Sequence, residues 1–229
     1  MTTTLITGAN RGIGLALARH AAQRGHTVIG TARDPGKATD LKAIPGVRVE
    51  PLDADSDASC KALARSLSGV PIDILINNAG VSPANAKSLA DFDPAGYLDC
   101  LKTNSIGPLL VTRALLANVE ASQRKVIVQI SSIMGSLSNA VSQGWQGSLA
   151  YHSSKSALNM ANTLIANQLK AQGVTCVAVH PGWVQTDMGG PNAHLTPDQS
   201  VTAILDTVEK LTIKDAGAFL NYDGKPLPW

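Results

Sequence analysis

Tyr151 and Lys155 stand four residues apart in the stretch "YHSSK", inside a run whose pattern of small and apolar residues predicts a helix. Positions i and i+4 share one helix face, so the phenol and the ammonium can approach each other. Two readings follow. The pair is an exposed aromatic–cation contact contributing about 0.3 kcal/mol to the helix, or it is a phenol whose pKa a neighbouring cation lowers, able to move protons near neutrality. The pair alone leaves both open.

A second grouping is made of glycines. "TGANRGIG" places Gly8, Gly12 and Gly14 directly after a strand-like run and before a helical one. Glycines let the backbone approach a pyrophosphate, whose charge sits at a helix N-terminus where free N–H groups point outward. The strand before and the helix after separate a dinucleotide loop from an ordinary tight turn. At the end of the second strand, "VIGTARDP" carries Ala32 and Arg33, where an acidic side chain would accept from the ribose 2′-hydroxyl of NAD. Arg33, together with Arg11 of the glycine loop, suits a 2′-phosphate, which a guanidinium grips as a fork; Asp34 could instead neutralise Arg33. NADP(H) is therefore favoured over NAD(H). Asp53, after the third strand, could accept from the adenine amino group or stabilise its own turn.

The elements that must position these groups are regular. Apolar runs rich in β-branched residues ("TTLIT", "HTVIGT", "VRVEPL", "IDILI", "KVIVQIS", "VTCVAVH", "AGAFL") alternate with helical patterns. The runs are nearly continuous in apolar residues, as expected of parallel strands covered on both faces. No linker or repeat interrupts them. The alternation predicts a Rossmann-type, doubly wound α/β sheet of about seven parallel strands, helices on both faces, in a single domain over residues 1–229. Ligands in such a sheet bind beyond the carboxyl ends of the strands, at the switch point. Within one long helical stretch, Asn104 precedes Pro108 by four residues. Proline has no N–H, so the Asn104 carbonyl loses its partner, the helix should kink, and the freed carbonyl can hold a water.

Hydrophobic residues make up 44% of the chain, enough for a buried core. A net charge of +2, with no basic run, argues against nucleic acid or a membrane surface as partner. Cys60, Cys100 and Cys176 lie far apart without the pairings of a metal site, and read as reduced, buried thiols. "MTTTLITGAN" runs into a strand without a basic, then apolar leader, and no apolar run approaches bilayer length. A soluble cytoplasmic protein is expected.

Two further motifs close strands: "INNAG", with Asn77, Asn78, Ala79 and Gly80, and "QISS", with Ser131 and Ser132. With the glycine loop, "YHSSK" and "HPGWVQTDM", they resemble the short-chain dehydrogenase/reductase family over essentially the whole chain. "HPGWVQTDMGGPNAHLTP" and "FLNYDGKPLPW" are similar to its C-factor-like and sniffer-like carbonyl reductases. The resemblance implies that Tyr151 is the general acid at a carbonyl oxygen. Lys155 and the positive ring of oxidised cofactor would draw the phenol down from its usual value of about 10. It further implies that Ser132, with Ser131 as fallback, orients the substrate oxygen, and that Asn104 holds a relay water through its backbone. Asn10, Arg11, Ile13, Asn78, Ala79 and Gly80 would line the dinucleotide, with Pro181 and Gly182 turning the chain so that Val184 and Thr186 meet the nicotinamide carboxamide.

Met134, Leu137, Trp145, Trp183 and Met188 fall in nearby loops, where they would form an apolar pocket or anchor the loops on the sheet edge. His152 and His180 are given no role. Eighteen residues separate Ser132 from Tyr151, several more than the family pattern, and "SNAVSQGWQG" carries the surplus. That leaves oligomeric state open, with a homodimer preferred. The expected activity is NADPH-dependent reduction of a small aldehyde or ketone. The alternatives are alcohol oxidation at the same site, or dinucleotide sensing without turnover.

Overall fold

The computed structural model describes residues 1–82 and 89–229. Seven strands form one sheet: β1 (Thr3–Ile6), β2 (Thr27–Ala32), β3 (Arg48–Pro51), β4 (Ile74–Asn77), β5 (Val126–Ile130), β6 (Thr175–His180) and β7 (Phe219–Asn221). Every pairing is parallel, in the order β3-β2-β1-β4-β5-β6-β7. The strand order switches direction between β1 and β4, so the binding crevice of a doubly wound sheet opens there. The helices are α1 (Gly12–Gln23), α2 (Thr39–Lys42), α3 (Asp57–Ser66), α4 (Pro94–Leu101), α5 (Gly107–Glu120), α6 (Leu137–Gln143), α7 (Leu149–Leu169) and α8 (Pro197–Lys210). This is the Rossmann-type sheet that the alternation predicts. Among the described residues no helix is long and apolar enough to cross a membrane.

The two-residue period of a strand sorts the core into two layers. On one face Ile6, Ile74, Ile76 and Val128 meet Leu17 and Ala21 of α1 and Ile204 and Val208 of α8. On the other, Leu5, Leu75, Ile127 and Cys176 meet Leu63 of α3, Leu115 and Val119 of α5 and Ala166 of α7. Each fully buried leucine or isoleucine stabilises by roughly 1.5–3 kcal/mol, so the loops at the strand ends stand on a rigid base.

Some elements depart from the sequence reading for local reasons. The single helix expected over residues 95–121 is divided into α4, a π-helical turn at Lys102–Ile106, and α5. Pro108 cannot donate to the Asn104 carbonyl, and the chain absorbs the missing bond in that wider π-helical turn. The stretch read as a loop insertion contains α6. Its start is capped by Ser136 Oγ, which accepts the Asn139 N–H at 3.1 Å, and it ends at Gly144 with φ of 60°. Two turns are too short a window for periodicity to register. The weak helix around "GKATDLKAI" shrinks to the four residues of α2.

Candidate active site

β1 runs into the glycine loop, and α1 starts within it. Helices α3, α4, α6, α7 and α8 each open on a side-chain cap, from Ser56, Asp93, Ser136, Ser148 and Thr196. α1 opens at Arg11 with no such cap and no acid in its first turn. Its leading N–H groups are thus left for an anion beyond the sheet, the condition for holding a pyrophosphate. A Cβ at Gly14 would stand 2.3 Å from the Gly8 carbonyl oxygen and 2.5 Å from Asn78 Nδ2, which fixes that position as glycine. Asn78 braces the loop from β4, donating to the Thr7 and Gly8 carbonyls at 2.9 and 3.1 Å. The Asn78 and Ala79 amides in turn donate to Thr7 Oγ1. Asn10 is exposed at the rim, and Ile13 packs on the core. These features fit a dinucleotide.

At the end of β2, Asp34 turns away from Arg33. Its carboxylate accepts from the Gly36 amide at 2.9 Å and faces Lys37 at 3.5 Å, leaving the Arg33 side chain exposed. The Arg11 guanidinium donates to Asp187 Oδ2 at 2.8 Å in an exposed ion pair. Asp53 is exposed and accepts the Asp55 N–H at 3.3 Å, a turn-stabilising bond.

Ser132, Tyr151, Lys155 and Asn104 come together where β4 and β5 end against α7. Lys155 is only 5% exposed; its Nζ donates to the Ile130 carbonyl at 2.8 Å and lies 5.7 Å from the Tyr151 ring centre. A Cβ on Gly80 would stand 3.8 Å from that nitrogen and 3.2 Å from Asn104 Oδ1, so "NAG" delivers a bare backbone into the cluster. The Asn104 side chain is engaged twice with Val81, donating to its carbonyl and accepting its N–H, both at 2.8 Å, and donates to Ser154 Oγ at 3.0 Å. Its side chain therefore fixes the turn, and its carbonyl has no i+4 donor, because Pro108 lacks an N–H.

The two serines separate on geometry. Ser131 Oγ, fully buried, donates to Asn159 Oδ1 at 2.6 Å, so its proton is committed. Ser132 Oγ accepts the Met134 N–H at 3.2 Å, and its hydroxyl hydrogen-bonds to the Tyr151 phenol. The Ser132 turn rests on α7 at Gly135, where a Cβ would stand 2.8 Å from the Lys155 carbonyl carbon. Burial sets the electrostatics of the pair. Burial pushes the Tyr151 phenol up to about 12, against a smaller downward pull from the Ser132 hydroxyl. Burial also depresses Lys155 to about 8, a nearby Cys100 acting the other way. Desolvation is the largest cause for both groups, and it opposes the charged form of each.

Beyond β6, Pro181 accepts a buried Ser200 hydroxyl at 2.6 Å, and Gly182, with φ of 82°, has Leu195 where a Cβ would be. Val184 bridges Leu195, and Thr186 Oγ1 accepts the Gly189 N–H at 3.2 Å; a Cβ on Gly12 would lie 3.5 Å from Thr186, so this loop does reach the glycine loop. Trp183 Nε1 donates to the Gly189 carbonyl at 2.7 Å and its ring meets His194 edge-on. Trp145 packs edge-on against His152, next to Tyr151. Met134, Leu137, Trp183 and Met188 are exposed. Among the described residues no cluster of His, Cys, Asp or Glu could hold a metal ion.

The profile of the short chain dehydrogenase family matches residues 2–195. The chain belongs to that family. It is an oxidoreductase of the short chain dehydrogenase type. The NADPH-bound carbonyl reductase from chicken fatty liver superposes with a TM-score of 0.92 at 35% identity, covering 100% of this chain and 99% of that one. The carbonyl reductase Sniffer of D. melanogaster gives 0.93 at 33% identity, with 100% of both chains covered. The C-signal protein of Myxococcus xanthus is 40% identical over 169 residues, 74% of this chain and 99% of that protein.

Sequence reasoning missed Asn159 and Ser154, which hold Ser131 and Asn104 in place. Asn159 was findable: Tyr151, Lys155 and Asn159 recur every four residues and share one helix face. Ser154 carries no such signal, since its importance comes from a contact with another element.

Proposed function

We propose that the protein is an NADPH-dependent carbonyl reductase acting on a small aldehyde or ketone. The observation that carries this reading is the convergence of Ser132, Tyr151 and a buried Lys155 beside an uncapped glycine-rich helix start. Gly8, Gly12, Gly14 and the first amides of α1 would hold the pyrophosphate, and Arg33 the 2′-phosphate. When bound, the nicotinamide supplies hydride to the carbonyl carbon. Tyr151, neutral far above physiological pH, donates its phenolic proton to the carbonyl oxygen. The alkoxide that hydride addition generates is more basic than a phenolate, so this transfer runs downhill. The Lys155 ammonium holds the phenolate left behind, and the Ser132 hydroxyl donates to the same substrate oxygen where charge develops. The Asn104 carbonyl orients a water through which the lysine exchanges protons with solvent.

The NADP-bound carbonyl reductase among the similar structures supports the cofactor choice, as does the exposed Arg33. Buried, unpaired cysteines support a reducing compartment such as the cytoplasm. Exposed Leu98 on α4 and Met160 and Leu164 on the adjoining α7 support a homodimer across that face. Following nicotinamide absorbance with NADPH and NADH against aldehydes, ketones and diketones tests the reading. NADPH consumption should be the faster, and Tyr151→Phe should lower it at least about 10²-fold. Turnover that survives this change refutes the mechanism.

A further inference from the structure

Past β7 the chain reverses on itself. The Asn221 amide donates to the Lys225 carbonyl at 2.8 Å, Leu220 bridges antiparallel to Pro226, and the Leu227 amide donates to the Phe219 carbonyl at 2.8 Å. Trp229 then stacks on Phe219, ring centres 5.3 Å apart with 23° between planes. Phe219 is buried, whereas Trp229 remains partly exposed; the base is fixed and the ring lies over it. From there the Trp229 carbonyl accepts the Ser138 N–H at 2.8 Å.

Ser138 is the second residue of α6, and α6 lies between the Ser132 turn and the start of the Tyr151 helix. It exposes Leu137 and Val141, at 68% and 85%. A helix of two turns has no stability of its own, so its position depends on its ties. At its start these are the Ser136 cap and the Trp229 carbonyl; at its end the Trp145 amide reaches the Ala140 carbonyl at 3.2 Å. The proposed chemistry makes no use of Trp229.

We infer that residues 222–229 form a strap that positions α6 beside the active site, with Trp229 as its positioning residue, and that the strap sets how well bulky apolar carbonyls fit. The specificity half rests on the carbonyl reductase reading; the positional half does not.

Hydrogen–deuterium exchange of the wild type, Trp229→Ala and Trp229→Phe reads position directly. Amides at the start of α6 should exchange about five- to tenfold faster in Trp229→Ala, the size of a lost aromatic stack with its dependent hydrogen bond. Those of β5 and α7 should be unchanged, and Trp229→Phe should stay near wild type. With NADPH, Trp229→Ala should shift KM for 2-naphthaldehyde severalfold while kcat, and both constants for acetaldehyde, change less than about twofold. Unaltered exchange across α6 overturns the strap. Faster exchange with equal losses on both aldehydes overturns the specificity half. Should the wild type reduce neither aldehyde nor any other carbonyl, the functional reading and the specificity half fall together, and exchange alone decides the strap.

Discussion

Replacing Lys155 by methionine should make the protein more stable at pH 7 and less stable at pH 10. Burial lowers the ammonium from 10.5 to about 8. With the folded pKa below the unfolded one, the folded state binds fewer protons between those values, so stability rises with pH from about 8 to 10.5. Below pH 8 the penalty for burying the charge is present in full. The two pKa values make that penalty about 3 kcal/mol at pH 7 and under about 1 kcal/mol at pH 10. Methionine removes it but strands the Ile130 carbonyl, which Lys155 meets at 2.8 Å; a buried acceptor left alone costs about 1–3 kcal/mol. At pH 7 the penalty removed matches or exceeds that cost, by up to about 2 kcal/mol, and at pH 10 the cost exceeds the penalty by up to about 2 kcal/mol. Urea denaturation of both proteins at the two pH values, with equal m-values, measures it. A variant already less stable at pH 7, or a difference that does not move with pH, would mean that Lys155 carries no buried charge. Turnover should collapse in the variant regardless, since stability and activity are opposed at this residue.

For carbonyl reduction, kcat/KM should be flat below about pH 8 and fall tenfold per unit above it, as Lys155 loses the charge that stabilises the phenolate. Tyr151, held near 12, stays protonated throughout; a fall beginning at or below pH 6 contradicts this assignment. Arg33→Ala should weaken NADPH binding about 10- to 100-fold, the loss of charge-assisted hydrogen bonds, with little change for NADH in calorimetric titration. Gly14→Ala should destabilise by about 1–3 kcal/mol through overpacking and weaken both nucleotides alike, because its Cβ would strike the Gly8 carbonyl; equal melting temperatures would refute this.

Much of this arrangement was legible because it is periodic or punctuated. Continuous apolar runs mark buried strands, glycines mark the loop, and Pro108 marks the interrupted helix. The four-residue spacing of Tyr151 and Lys155 places both on one face. What was not legible depends on pairing across distance. The Arg11–Asp187 ion pair joins residues 176 apart in sequence, and no local pattern announces it. The direction of the Tyr151 shift comes first from desolvation, which is set by how elements distant in sequence pack around the ring. The choice of Ser132 over Ser131 acquires a physical reason only once Asn159 is seen to hold the other hydroxyl.

The sheet order also bears on how the protein is made. β1 lies against β4, with Thr4 beside Ile74, and every other strand pair joins segments closer in sequence. Non-local parallel pairing is slow, because loop closure precedes the contacts that reward it. The seam formed across the longest loop is also where Gly8 meets Ala79 and where the dinucleotide would lie. A half-assembled chain therefore exposes two unpaired strand edges, the hazard of slow-folding sheets. A nucleotide that binds only the closed seam draws the folding equilibrium toward it, so refolding yield and cofactor concentration become linked quantities.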